Sequence, residues 1–400
     1  MNRIYIAIFC LLLFSGVCQA KATLVLSSAE HKVLSFANKN IDTGQVQQAL
    51  QILQDFTQQK HSQYAHALSW QMLGNLALNE SNWTQARQHY QQALSFRVLP
   101  KKDQQNIHAK LMQASYQLKD WQSSIDHWML WQEVLVKGRR PSFTAKDYLR
   151  ASLSYMSLKQ WQAAKKMLLK AQSKMAVQKL SWYQTLLAIE RGLDNDSGQI
   201  KVLKQLLELA PQQQSYWLAL AKLYEKKGNK EDATALLYSA FKNDVLRSSE
   251  HIKWLASGLS QHGNPAAASK VIEHAIERQY LQSEEGARFL IHFYRLAKMF
   301  TKAIVVLEQN APSVQNHQQL AQLYYQNRQW QMAYSNAQKV PEMGAGHIIQ
   351  IEMLMALSSL HLQQVARANM HFSRVLQLDP NHVLARSLAG LTDRSEKKQI

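Results

Sequence analysis

The sequence predicts an all-α protein, an α-solenoid of about ten antiparallel helical hairpins closed by a C-terminal capping helix. Three observations predict it. A phrase of large apolar, small and aromatic residues recurs along the chain. Glycine and proline are scarce, at 13 and 7 in 400 residues, and most prolines fall between the recurring phrases. Scarce glycine disfavours turn-rich β folds and glycine-loop nucleotide folds, because both need residues that tolerate positive φ at many corners. The apolar fraction of 46% and mean hydropathy of −0.34 suit a folded chain rather than a disordered or multi-span one.

The N-terminus comes first. Asn2 and Arg3 precede an apolar run from Ile4 to Phe14, shorter than the ~20 residues a spanning helix needs. Ala20-Lys21-Ala22 then offers small residues for cleavage, so residues 1–22 are expected to be a secretory signal and the mature chain to begin at Lys21 or Thr23. An acylated Cys18 is a weaker alternative, since Val17 before it is bulky. Cys10 and Cys18 leave with the signal. An exported chain without disulfides must rely on packing, and it fits the periplasm of a Gram-negative bacterium.

The clearest repeat carries Trp70, Leu73, Gly74, Trp83, Ala86, Tyr90 and Ala93. Apolar residues recur at i, i+3, i+4 and i+7 on both of its segments, and small Ala86 lets the second helix cross close to the first. These spacings resemble the tetratricopeptide repeat (TPR) family, which implies paired antiparallel helices. An earlier unit runs from Phe36 through Gly44 to Ala49. After the clear repeat come units marked by Leu111, Tyr116, Trp121 and Ser124, then by Tyr155, Trp161, Ala164 and Leu168. A weaker unit spans Trp182 to Pro211, with Gln199 where a small residue is expected. Tyr216, Trp217, Gly228, Ala233 and Ala240 mark the next, and later ones centre on Ala268, Ala303, Ala333 and Ala368.

Links are placed near Pro100, Pro141, Pro211, Pro312, Pro341 and Pro380. Asn381 to Thr392 reads as a capping helix over the last repeat's apolar face, followed by a polar tail at 393–400. The organisation is thus an array over 23–180 and a second over 181–392, either continuous or meeting as two arms near 180–200. Gln199, the Pro341–Gly346 segment and the Gly138–Ser142 loop point to irregular stacking.

No catalytic constellation is present, so the chain is read as non-enzymatic, with no cofactor and no metal. Gly344 and Gly346 are too few for a phosphate loop, and no serine has a nucleophile-elbow context. His61 and His66, or His361 and His371, lack the i, i+4 spacing that sets two ligands on one helical face. Trp70, Trp83, Trp121, Trp161, Trp217 and Trp330 are assigned to the core between paired helices. Trp128 and Trp131 lie three apart on one helix, which leaves one of them as a surface candidate.

Two polar surfaces are candidates for function. The chain carries 46 Lys+Arg against 28 Asp+Glu, a net charge of +18. Residues 137–179 concentrate that excess, with Asp147 their only acid. Arg139 and Arg140 sit in a loop there, and Lys166, Lys170 and Lys174 recur every four residues along an expected exposed stripe. The stripe is either a solvated face or a contact for an anionic envelope surface. Nucleic acid would also explain the charge but conflicts with export. The second surface is the groove that the TPR resemblance implies. Its first-helix positions include Asn75, Gln113, Tyr116, Lys222, Lys253, Arg288, His292, Arg295, Gln322 and Tyr325. They lack the Lys/Asn arrangement of TPR domains that clamp a C-terminal carboxylate.

Ser181-Trp182-Tyr-Gln-Thr-Leu-Leu, Leu206-Leu-Glu-Leu-Ala-Pro211 with Tyr216-Trp217-Leu, and Lys270-Val-Ile-Glu-His-Ala-Ile276-Glu give a narrower resemblance. Over roughly residues 100–340 the chain resembles the TPR proteins that accompany bacterial TonB–ExbB–ExbD systems. That resemblance implies an exported scaffold that helps energise outer-membrane uptake of iron complexes, with TonB, ExbB or ExbD components as partners. Its motifs are structural and transfer no functional residue. The alternative is a cell-envelope assembly scaffold, serving polysaccharide, peptidoglycan or outer-membrane protein biogenesis.

Overall fold

A computed structural model describes residues 24–176 and 179–396, so the expected signal at 1–22 and the last four tail residues lie outside the described residues. The chain divides into two compact units, 1–202 and 203–400, with the boundary inside one helix. In the first unit α1 (Ser28–Asp42) pairs with α2 (Val46–Gln58), α3 (Gln63–Asn79) with α4 (Trp83–Ser95), and α5 (Lys101–Gln117) with α6 (Trp121–Glu133). The pairs α7 (Ala145–Ser157) with α8 (Trp161–Gln172), and α9 (Leu180–Gly192) with α10 (Asp196–Leu209), follow; α10 carries the boundary. The second unit continues with α11 (Gln214–Lys226) and α12 (Lys230–Lys242), α13 (Ser249–Gln261) and α14 (Pro265–Glu277), and α15 (Ser283–Leu296) and α16 (Phe300–Glu308). Then come α17 (Val314–Gln326) with α18 (Trp330–Val340), and α19 (Ile349–His361) with α20 (Val365–Leu378), before α21 (Val383–Glu396). Ten hairpins and a terminal helix make a TPR-like α-solenoid, and no strand occurs among the described residues. The terminal helix runs to Glu396, past the Thr392 expected from the sequence.

One turn closes all ten hairpins. Its central residue has positive φ, supplied by glycine only at Gly44, Gly228 and Gly263. The other seven use Ser81, Lys119, Lys159, Asp194, Lys298, Arg328 and Gln363, at φ between 48° and 62°. Each turn also closes a six-to-one bond, such as Asn82 N donating to Ala77 O at 2.8 Å and Gln364 N to Ser359 O at 2.9 Å. The backbone bonds of this C-cap outweigh the Cβ strain. Few glycines therefore did not mean few left-handed corners.

The crossing residue is fully buried in Ala49, Ala86, Ala164, Ala303, Ala333 and Ala368. Ser124 fills the place in the third hairpin, its hydroxyl donating to Met112 O at 3.3 Å. Gln199 is the exception and is nonetheless buried. Gly74 is a true close approach, since a Cβ there would lie 2.7 Å from the Tyr90 ring. At Gly192 a Cβ would meet the Trp161 ring at 2.3 Å, which seats the fourth hairpin's indole on the fifth hairpin.

The tryptophans are redistributed from the expectation. Trp70, Trp83, Trp121, Trp161, Trp217 and Trp330 are half-buried. Four of them open a second helix, at the end of a hairpin. Trp128 and Trp131, of which one was a surface candidate, are both core residues at 1% and 9% exposure. They pack against Phe143 and, for Trp128, Tyr148. The loop folds back over α6 and covers them.

Candidate functional site

In the second unit α15 presents Arg288, His292 and Arg295 at i, i+4 and i+7, one exposed stripe of a helix whose opposite face buries Leu290, Ile291, Phe293 and Tyr294. Glu284 and Glu285 in its first turn and Arg295 in its last suit the helix dipole. The short α16 then ends, and Ser313 starts α17 by accepting from Asn316 N at 3.0 Å. The Asn316 amide works in the opposite direction. Its Nδ2 donates to Leu307 O at 3.2 Å, Asn310 O at 3.3 Å and Ala311 O at 3.2 Å, satisfying carbonyls at the end of α16.

These elements border an open cleft of about 360 Å³ lined by Arg288, His292 and Arg295 on one side. Asn310, Ser313, Gln315, Asn316 and Gln319 face them. None of the three cationic-type side chains has an ion-pair or hydrogen-bond partner among the described residues. Asn316 is 7% exposed, and its Oδ1 is buried without a donor. A cleft with two guanidiniums, an imidazole and amide side chains suits an acidic group.

The remaining groove candidates are dispersed. Asn75 accepts from the Tyr90 hydroxyl at 2.7 Å, beside a different cavity that also includes His31 and Asp103. Gln113 is half-buried on α5, and Tyr116 sets its ring edge-on to Trp121 at 5.6 Å. Lys222 and Gln322 are exposed. Lys253 is neutralised by Glu285 at 2.7 Å. Tyr325 packs at an angle against the stacked pair Trp330 and His361, whose ring centroids are 4.0 Å apart. The sequence reading missed Gln315, Asn316 and Gln319; Ser313 three residues before Asn316 was the available signal for a helix start.

In the first unit Arg139, Arg140, Lys166, Lys170 and Lys174 are all exposed. Lys174 departs from the expected stripe: α8 ends at Gln172, so this lysine lies in the following turn. His61 and His66 belong to an aromatic stack, His61 on Phe56 at 3.7 Å and His66 on Phe96 at 5.7 Å. His371 is buried and bonds Glu352 through Nδ1 at 2.6 Å. Burial alone would raise the Glu352 carboxyl, but His371 and His347 outweigh it and hold it below the usual range.

No protein-family model matches the chain, and no curated protein matches it in sequence. Among solved structures, the chain is similar to Naa15/Naa10 bound to HypK-THB, at 13% identity and TM-score 0.42, over 91% of this chain and 66% of that one. A tetratricopeptide repeat protein from Parabacteroides merdae is similar at 13% identity and TM-score 0.33, over 66% and 98%. MamA is similar at 15% identity and TM-score 0.34, over 44% and 91%. The hairpin geometry defines the class as a TPR-like helical-repeat protein.

Proposed function

We propose that this protein is a non-enzymatic periplasmic scaffold that holds an acidic segment of a partner protein in the α15–α17 cavity. The observation that carries this is the convergence of Arg288, His292 and Arg295, without ion-pair or hydrogen-bond partners among the described residues, on one cleft faced by amide side chains. A helical-repeat array offers a broad binding surface, and its effect comes from positioning what it binds. Charge-assisted bonds to a carboxylate would set the register.

The partner system we favour is TonB-dependent transport, on the resemblance carried by residues 181–187, 206–218 and 270–277. The TonB, ExbB or ExbD components are then the candidate partners. Deleting the gene should impair growth on iron complexes that need active outer-membrane uptake and spare growth on freely diffusing nutrients. Normal uptake in a deletion strain without a paralogue would remove the transport role. Detergent sensitivity in that strain would favour envelope assembly instead.

A further inference from the structure

The first unit carries a surface of a different character, and it stands independently of the peptide cavity. Trp121 and Trp161 open α6 and α8, so Met129 and Leu169 occupy the same position in successive repeats, as do Leu130 and Lys170. Both helices pack against α7, with Trp128, Trp131 and Met167 sharing its Ala151. Met129, Leu130, Leu135 and Leu169 are 42–46% exposed, well beyond the core residues beside them. They project from helix ridges and a link, which is a poor shape for gripping a peptide.

The cations lie in the link after α6 and on α8. After α6 the link forms a two-residue hairpin in which Val136 and Arg139 exchange N–H to O bonds at 3.0 Å. Lys137 and Gly138 at its tip both have positive φ, the requirement of a type I′ turn. This turn presents Lys137, Arg139 and Arg140, while α8 and its following turn present Lys166, Lys170 and Lys174. None of the six has a carboxylate partner among the described residues; Lys170 instead lies 5.7 Å from the Tyr148 ring centroid. Asp147 is already engaged, by the Thr144 N–H at 2.9 Å and by Arg150 at 3.3 Å. Asp126 and Glu133 lie three or four residues from Met129 and Leu130 and share their side of α6, so the positive charge of this face comes from the link and α8.

We infer that this face docks on a lipid bilayer bearing anionic headgroups. The six cations meet the phosphates, and the four apolar side chains enter the boundary between headgroups and acyl chains. A bare polyanion or an acidic protein surface would match the charge but give the ridge-top apolar groups no partner. A bilayer yields around them and serves both.

The test uses the full mature chain and vesicle flotation. Vesicles of phosphatidylglycerol and phosphatidylcholine in equal parts should carry the protein, and pure phosphatidylcholine should not. Lys166→Glu with Lys170→Glu should lower the partition at least tenfold, since each basic residue near an anionic surface is worth roughly a factor of five. Met129→Ser with Leu169→Ser changes no charge and should lower it several-fold, with helicity unchanged in both variants. Unchanged partition for the serine pair would overturn the inference even if charge reversal weakens binding, because a purely ionic surface ignores that change. Equal retention of the wild type on neutral vesicles would overturn it as well.

Discussion

The exposed surface of α8 and the link after α6, and the cleft between α15 and α17, both present unpaired cations, yet their surroundings differ. In the first unit the cations sit on ridges among exposed Met129, Leu130 and Leu169. In the second they line a recess with amides and a buried Asn316. The same charge thus meets a broad, yielding surface in one place and a single oriented group in the other. Geometry around a charge, and the polar or apolar company it keeps, decides what it can recognise.

The largest expected effect comes from removing what supports the first face. Trp128→Ala should cost about 3–5 kcal/mol, because the indole is fully buried against Trp131, Phe143 and Tyr148. Thermal unfolding would show it, and amide exchange should locate the loss in α6, the loop and α7. A loss below 1 kcal/mol would mean the loop does not lean on Trp128.

Next is a charge reversal that should separate the two surfaces. Arg288→Glu with Arg295→Glu should weaken a fluorescein-labelled peptide of alternating Glu and Ala by about tenfold, since two attractive charges become repulsive. Lys166→Glu with Lys170→Glu should change that affinity less than twofold. Equal losses in both variants would reduce the cavity to part of a diffuse positive field.

Acid should also distinguish the units. His66, His89, His108 and His127, all in the first unit, are held below the ordinary histidine range, mainly by burial. His108 is pushed down to about 4, by burial first and by His127 second. The unfolded chain therefore takes up these protons first, and stability falls as pH drops from 6.5 toward 4. Carboxylates behave otherwise. Glu30, held at about 2 chiefly by the Ser62 N–H, and Glu352, held below 4.5, give stability that persists until pH falls below 4.5. Between pH 7 and 5, exchange protection should drop in α5 and α6 and hold in α19 and α20. Equal drops would break the distinction.

The smallest effect concerns a feature the units share. Lys119→Gly in the first and Arg328→Gly in the second should each stabilise by roughly 0.5–1 kcal/mol, as relief of left-handed strain exceeds the added unfolded-chain entropy. Destabilisation at both would mean the side chains pack in ways the backbone does not reveal.

The repeats were legible because their markers answer to local physics. Ala86 or Ala303 must be small where two helices cross, and an indole must open the second helix of several hairpins. The turns were less legible. Lys119, Arg328 and Gln363 adopt positive φ because the six-to-one bond demands it, and no residue type announces that bond. The cavity was legible in part: Arg288, His292 and Arg295 share a helix face at readable spacing. Asn316, Gln315 and Gln319 look like any solvated amides until the α16–α17 link brings them opposite. Lys253 and Tyr325 failed to join for the converse reason, since Glu285, Trp330 and His361 claim them and come from other helices.

The central claim is most directly tested by a photo-crosslinking residue placed at Gln319, inside the cavity, in intact cells. A specific envelope protein should be captured through a segment rich in Asp or Glu. The adduct should vanish with Arg288→Glu plus Arg295→Glu and survive Lys166→Glu plus Lys170→Glu. No adduct at Gln319, or one that persists through the Arg288 and Arg295 reversal, would contradict the account.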